Sequence, residues 1–492
     1  MYKTRVVFFV CILFAALLTA CTDAPEPIRA VQNYTVTFEP DGGFPAPDSP
    51  VTVRKGEKLS EPADMIKEGF VFEGWFTESV FENKWDFNNN TVTNNIILHA
   101  NWLRTSPGVL PKLMVNTSGG VSIQDKVNWI PSTYELSIDG TVLHSGGTGI
   151  RGRGNSTWNM EKKPYNLNLN VSTPILGFPT HRRWALLANY ADKTLLRTDL
   201  AFKMGNIFDN MVWVPRSEHI EFYLNGNYQG LYQITENVRV DLNRVNINPI
   251  STANPDGGFL LEICQRMEDP FHWWSTLGFA FNCSSPDSGL NAVIPGTQTT
   301  LFDKIKSYIF EVEDTLRSHN LSQQRWKDYL DIDSFIDFYL VNEIAKDEDA
   351  HGMSSIYMYY NPATGKLHKG PIWDFDISMG NYKDKAGEHP EGFHIKNSIW
   401  YERLFREQDF VLAVKRRWNE KKAEVQALTH YLDERIIFLE EAQERNFERW
   451  PILDRIVWPN VVALGSHAAE VEYLKTWLNR RIAWLDAEIN KL

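Results

Sequence analysis

Cysteine is scarce in this chain, four among 492 residues. Four cannot form the disulfide scaffold of a protein this long, and Cys11, Cys21, Cys264 and Cys283 lack the paired short spacings of a structural zinc site. Basic residues are outnumbered, with Lys+Arg at 50 against Asp+Glu at 62 and a formal charge of −12. No basic block breaks that balance, which excludes a broad electrostatic footprint for nucleic acid and leaves room only for a local basic site. Several catalytic signatures are missing: G-x-S-x-G, the Walker A run, H-R-D-x-x-x-x-N and the EF-hand spacing. What is present is an ordinary globular composition, 43% hydrophobic and 23% charged. At roughly 100–200 residues per domain the length allows two to four domains.

The N-terminus reads as a targeting device. Lys3 and Arg5 precede an apolar run from Val6 to Ala20, shorter than the ~20 residues that a membrane-spanning helix needs. The run closes on Leu18-Thr19-Ala20-Cys21, which resembles the lipobox of bacterial lipoproteins. That resemblance implies cleavage after residue 20, acylation of Cys21, and a mature protein anchored to the cell envelope, at the outer membrane, without spanning it. Residues 21–33 are polar and proline-containing, as a tether should be. For an exported chain, Cys264 and Cys283 could pair or stay as buried thiols.

From Tyr34 the pattern becomes that of a small all-β unit. Strand-like runs at 34–38, 51–53, 69–75 and 96–102 are separated by turn residues such as Asp41-Gly42-Gly43. The spacing of Val36 to Phe38, the two glycines, Gly69 to Trp75 and Ala100 to Trp102 resembles the internalin-type B repeat, the Listeria-Bacteroides repeat family, over residues 34–103. Such repeats serve as spacers, and a single copy argues against a long adhesive array. Farther on, strand-like runs dominate to about Phe281, including 134–138, 165–169, 219–224 and 230–234, with one helical stretch at 195–208. Past Thr300 the period lengthens, and 302–316, 332–345, 405–439 and 469–492 read as amphipathic helices. The fold class is α+β, a β-rich half before a helix-rich half. Tryptophans such as Trp184, Trp418 and Trp484 sit among apolar neighbours and belong to packing.

Two segments concentrate polar groups where a core has no use for them. In Gly149 to Trp158, followed by Lys162-Lys163-Pro164-Tyr165, glycines allow close backbone approach to an anion while Arg151, Arg153, Lys162 and Lys163 supply charge. This suits a phosphate cradle, although a run this short, taken alone, reads first as a solvated hairpin. The second runs from Lys346 to Gly352, through Ser354 to Tyr359, to Gly370–Asp376. Its acidic residues could converge on Mg²⁺ together with substrate phosphates, or on Ca²⁺.

Together the blocks 151–165, 186–197, 226–237 and 373–376 resemble the CotH kinase family, spore-coat-protein-H-like atypical kinases, over residues 108–492. The resemblance implies transfer of phosphate from ATP, with Mg²⁺ or Mn²⁺, to Ser/Thr of a protein substrate on a diverged kinase-like fold. It places Arg151, Arg153 and Lys163 at the phosphates and has Glu236 orient a basic residue or hold metal. Asp349 becomes the catalytic carboxylate, with Asp347 as its competitor, and Asp374 the metal ligand helped by Asp376. Asp192 and Arg197 would form a buried ion pair ordering a helix. One departure stands out: where many members have a metal-binding Asn after the catalytic Asp, this chain has Ser354 and Ser355, with Asn361 farther on. The competing reading is a catalytically inactive surface binding or adhesion protein using the same pocket for an anionic ligand.

Overall fold

The computed structural model describes residues 32–63, 65, 67, 70–79, 81, 83–104, 109–317 and 323–492. The leader, Cys21 and the tether up to residue 31 lie outside the described residues. The described residues fall into two compact units, those up to Met65 with Glu73–Asn101, and those of 66–72 with Trp102–Leu492.

The repeat contributes β1 (Asn33–Glu39), β2 (Val51–Arg54), β3 (Phe70–Phe76) and β4 (Ile96–Arg104), in the sheet order β2-β1-β4-β3. β1 runs antiparallel to β2 and parallel to β4. Alternation sends Val36 and Phe38 inward, where Phe38 meets Trp75 edge to face.

The larger unit begins with seven strands: β5 (Lys112–Thr117), β6 (Ile130–Ile138), β7 (Thr141–Gly152), β8 (Tyr165–Thr173), β9 (His181–Leu187), β10 (Ser217–Leu224) and β11 (Asn227–Glu236). They close into a barrel in the order β10-β11-β9-β8-β7-β6-β5, sealed by a parallel pairing of β10 with β5. Inward-facing residues of these strands, among them Leu136, Ile150, Leu167, Trp184, Phe222 and Ile234, fill the barrel interior. A second, antiparallel sheet has the order β13-β14-β12-β15-β16, from β12 (Phe259–Ile263), β13 (His272–Trp274), β14 (Ala280–Ser285), β15 (Ile356–Asn361) and β16 (Lys366–Lys369). Its last two strands come from the half of the chain that reads as helical, so the halves interlock rather than follow one another.

The helices are α1 (Arg197–Ile207), α2 (Leu301–Thr315), α3 (Trp326–Tyr329), α4 (Ile332–Ala345), α5 (Ile399–Leu404), α6 (Gln408–Gln426), α7 (Leu428–Arg449) and α8 (His467–Ile489). The periodic stretch 405–439 is thus two helices that meet at Ala427. α4, expected to be amphipathic, is instead buried on every side from Ser334 to Ala345, with α1, α6 and α8 packed against it. Its start is capped by Asp331, whose carboxylate accepts from the Ser334 amide. Its end is fixed by Arg481 of α8, which pairs with Glu343 at 2.6 Å where both side chains are fully buried. Cys264 and Cys283 are free thiols. Among the described residues no helix is long and apolar enough to cross a membrane.

Candidate active site

A cavity of about 720 Å³ lies where the barrel and the second sheet meet, and both polar segments line it. From the barrel comes the turn after β7. Only glycine fits at 152, because a Cβ there would stand 2.4 Å from the Trp158 ring, and Gly154 turns at φ +80°. This turn holds Arg153 with its guanidinium 5.5 Å from the Trp373 ring centre. Burial lowers the Arg153 pKa, against the pull of Asp374 and Asp376. Arg151 lines the same cavity, stacks on Trp129 at 4.5 Å and donates to the Val127 carbonyl.

The acidic wall has its own local logic. α4 stops at Ala345 because Lys346 takes a left-handed conformation, φ 46°, and its ammonium is held by the carbonyls of His389 and Glu391. The chain then makes one short turn, Asp349–His351, before β15. Asp349 faces the cavity and accepts from Ser354 Oγ at 3.1 Å, while Ser355 Oγ donates to Asp374 at 3.2 Å. In Trp373-Asp374-Phe375-Asp376, Phe375 is fully buried in the core and both aspartates line the cavity. Asp374 sits at φ 69°, a conformation costly for a non-glycine residue and concentrated at functional sites.

Crowding leaves its electrostatic mark. Burial, then Asp374, pushes Asp349 up to about 6. Asp376 is raised well above the usual carboxylate range by burial and by Asp374 and Asp349, and Asp347 by burial and the same neighbours. Asp347 Oδ1 is buried without a hydrogen-bond partner. Carboxylates pressed together in this way want a cation. Among the described residues, no group of three or more His, Cys, Asp or Glu side chains converges on a metal position. That is compatible with Mg²⁺, which is bound by one or two carboxylates plus phosphate oxygens and water. Asp374 and Asp376 fit that role.

Several expected residues lie elsewhere. Lys163 does not line the cavity: its ammonium donates to the Trp158 carbonyl at 2.7 Å and stiffens the glycine turn. Its neighbour Lys162 reaches the cavity wall, but its ammonium is committed to the Leu231 carbonyl and to Asn446. Glu236 sits outside, taking the Arg216 guanidinium at 3.0 Å with Arg244 at 3.7 Å, so the basic residues it orients are not ones that carry charge from the glycine turn. Asn361 lies at the end of β15, outside the cavity, and does not replace the missing amide. Asp192 and Arg197 form the expected buried pair at 2.6 Å, and Arg197 also clamps the carbonyls of Ser378 and Met379, just past Asp376.

Sequence reasoning missed Glu262, Arg266 and Asn282. Glu262 accepts from the Ser355 amide at 3.0 Å and is raised to about 7, chiefly by burial. It is paired across the sheet with Asn282 and Tyr357, and all three line the cavity. The signal was a lone acid in the apolar strand Phe-Leu-Leu-Glu-Ile.

A sequence profile of the CotH kinase protein family matches residues 150–485. One for the Listeria-Bacteroides repeat domain matches residues 34–101. Among curated proteins, one from Evansella cellulosilytica described as "Putative membrane protein" is 39% identical over 72 residues, 15% of this chain and 10% of that protein. Another from the same organism, "Putative Gly-rich membrane protein", is 36% identical over 72 residues, 15% of this chain and 8% of that protein. The chain spans a tenth or less of the length of these relatives.

Proposed function

Because the chain belongs to the CotH kinase protein family, we propose that its cavity binds ATP with Mg²⁺ or Mn²⁺ and transfers the γ-phosphate to Ser/Thr of a protein substrate. One observation carries this reading: Arg153, from the glycine turn of the barrel, shares a single cavity with Asp349, Asp374 and Asp376. Asp374 and Asp376 would hold the cation, which when bound neutralises phosphate charge. Arg151 and Arg153 supply fixed positive charge from the other wall. Asp349, kept in place by Ser354, receives the proton of the acceptor hydroxyl. The Asp192–Arg197 pair fixes the turn behind Asp376, so the acids are preorganised before any ligand arrives.

The proposed setting is the cell envelope, with acylated Cys21 as the membrane anchor and the repeat as spacer. The descriptions of the two Evansella relatives as membrane proteins support it. The inactive-binder reading draws on a specific feature, that Ser354 and Ser355 spend their hydroxyls on Asp349 and Asp374.

The test is calorimetric titration of the protein with ATP, with and without Mg²⁺, paired with radiolabel transfer. Metal-dependent binding that Asp374→Ala abolishes is the expected result. Absence of nucleotide binding by the wild type defeats the reading.

A further inference from the structure

The segment between α7 and α8 has no regular structure and exposes three large apolar side chains within nine residues, Ile456, Trp458 and Leu464, at 57%, 53% and 43%. Isolated exposed apolar residues are common, but a cluster beside a cavity marks a binding surface. Here Ile456 and Trp458 flank an open cleft of about 390 Å³ whose other walls include Ser156, Met160 and Tyr190. Those three residues and Trp458 also line the large cavity, so the cleft is its continuation.

The segment is bolted to the acidic wall. Asn381 donates to the Asp376 carbonyl at 2.8 Å, and Asn460 donates to Asn381 Oδ1 at 2.8 Å. The Lys383 amide donates to the Pro459 carbonyl, and Tyr382 meets Trp458 edge to face at 6.0 Å. From the other side the buried Lys193 ammonium donates to the carbonyls of Arg455 and Val462. Such fixings hold an apolar surface at a set position relative to Asp376.

The occupant follows from the chemistry of the cavity. Elsewhere in it Asn166 and Asn237 bond to each other at 3.2 Å, and Asn237 Oδ1 is left buried without a partner. That polar edge suits the hydrogen-bonding rim of a nucleobase. The Ile456–Trp458 cleft is open to the surface, as an elongated ligand requires, and its apolar side chains (Met160, Ile456, Val457, Trp458) lie beside Asn159 and the Arg455–Glu161 ion pair, so that it takes an apolar side chain with polar backbone next to it. We propose that it seats an apolar side chain of the acceptor polypeptide, close in sequence to the hydroxyl that is phosphorylated. This deepens the kinase reading and rests on it for the identity of the acceptor.

Fluorescein-labelled decapeptides with one central serine, carrying at each flanking position either Leu/Phe or Gly, are titrated against the full chain by polarisation. The same peptides are assayed for phosphate transfer, and a fluorescent ATP analogue is titrated in parallel. Wild type is expected to bind peptides with an apolar residue at one particular flank at least tenfold tighter than their glycine counterparts. Ile456→Ser should cut that preference at least fivefold while leaving affinity for the ATP analogue within twofold, and Trp458→Ala should erase the preference. A wild type indifferent to the flank, an Ile456→Ser protein with full preference, or one that loses analogue affinity instead would overturn the proposal. Flank-selective binding without transfer would sink the kinase reading and leave the docking cleft standing.

Discussion

Asp349 and Asp374 share a cavity and a like charge, yet different hydroxyls hold them, Ser354 on one and Ser355 on the other. Their tasks should separate in the same way. Asp349→Asn keeps the shape but cannot take a proton, so it should leave ATP affinity within a few-fold and lower turnover by ~10²–10⁴. Asp374→Ala should remove both binding and turnover, and calorimetry with a transfer assay on the two variants reads the difference. A different residue, Lys369, illustrates a cost. It is buried over Phe338 at 5.1 Å and near Phe335 and Trp400, and burial lowers it to about 7. Because the unfolded chain holds that proton up to the ordinary lysine range, Lys369 disfavours folding most at and below pH 7, and the penalty fades as pH rises toward that range. Lys369→Met should therefore raise the melting temperature, most at pH 6–7 and less at pH 9, in thermal melts across that range. At this scale the two adjacent lysines of Lys162-Lys163 also show where the sequence runs out. Neither composition nor motif says which faces the cavity, because the answer depends on the Leu231 carbonyl and Asn446, far away in the chain.

Among the elements, α4 depends on α8 for the position of its last turn. Arg481 spends its guanidinium on Glu343 and on the carbonyls of Pro390 and Gly392, and Glu343 also accepts from the His394 and Lys396 amides. Arg481→Met leaves an uncompensated buried carboxylate and should destabilise the protein by ~3–5 kcal/mol, whereas adding Glu343→Gln should recover part of that. Urea midpoints of the two variants test both statements. Individual elements are largely legible: 332–345 reads as a helix and is one, although the amphipathic pattern expected there gives way to burial on every side, which depends on the elements that cover it. The break at Ala427 is not legible, because no glycine or proline marks it. Barrel closure was illegible for another reason. β5 and β10 pair in parallel about a hundred residues apart, and such a pairing leaves no turn in the sequence to betray it.

At the scale of the molecule, all of the described residues that line the candidate cavity lie at or beyond Lys126. Removing residues 34–103 should leave the affinity of residues 108–492 for an ATP analogue unchanged, as a fluorescence titration would show. The order of repeat and kinase-like unit was readable because each carries dense local motifs.

The closed barrel has one more consequence, for where this protein can be cut. The family match begins at residue 150, but the barrel begins at Lys112. A fragment started at residue 150 keeps every residue assigned a chemical role and loses β5, β6 and most of β7. β10 would lose its partner along Glu221–Leu224 and β8 its partner at Asn168 and Leu169, leaving bare backbone donors and acceptors at two open edges, an invitation to pair with another copy. Such a fragment should elute as a broad, high-mass species in size-exclusion chromatography, while 108–492 elutes as a discrete peak. The boundary of recognisable kinship and the boundary of a soluble object differ here by three strands.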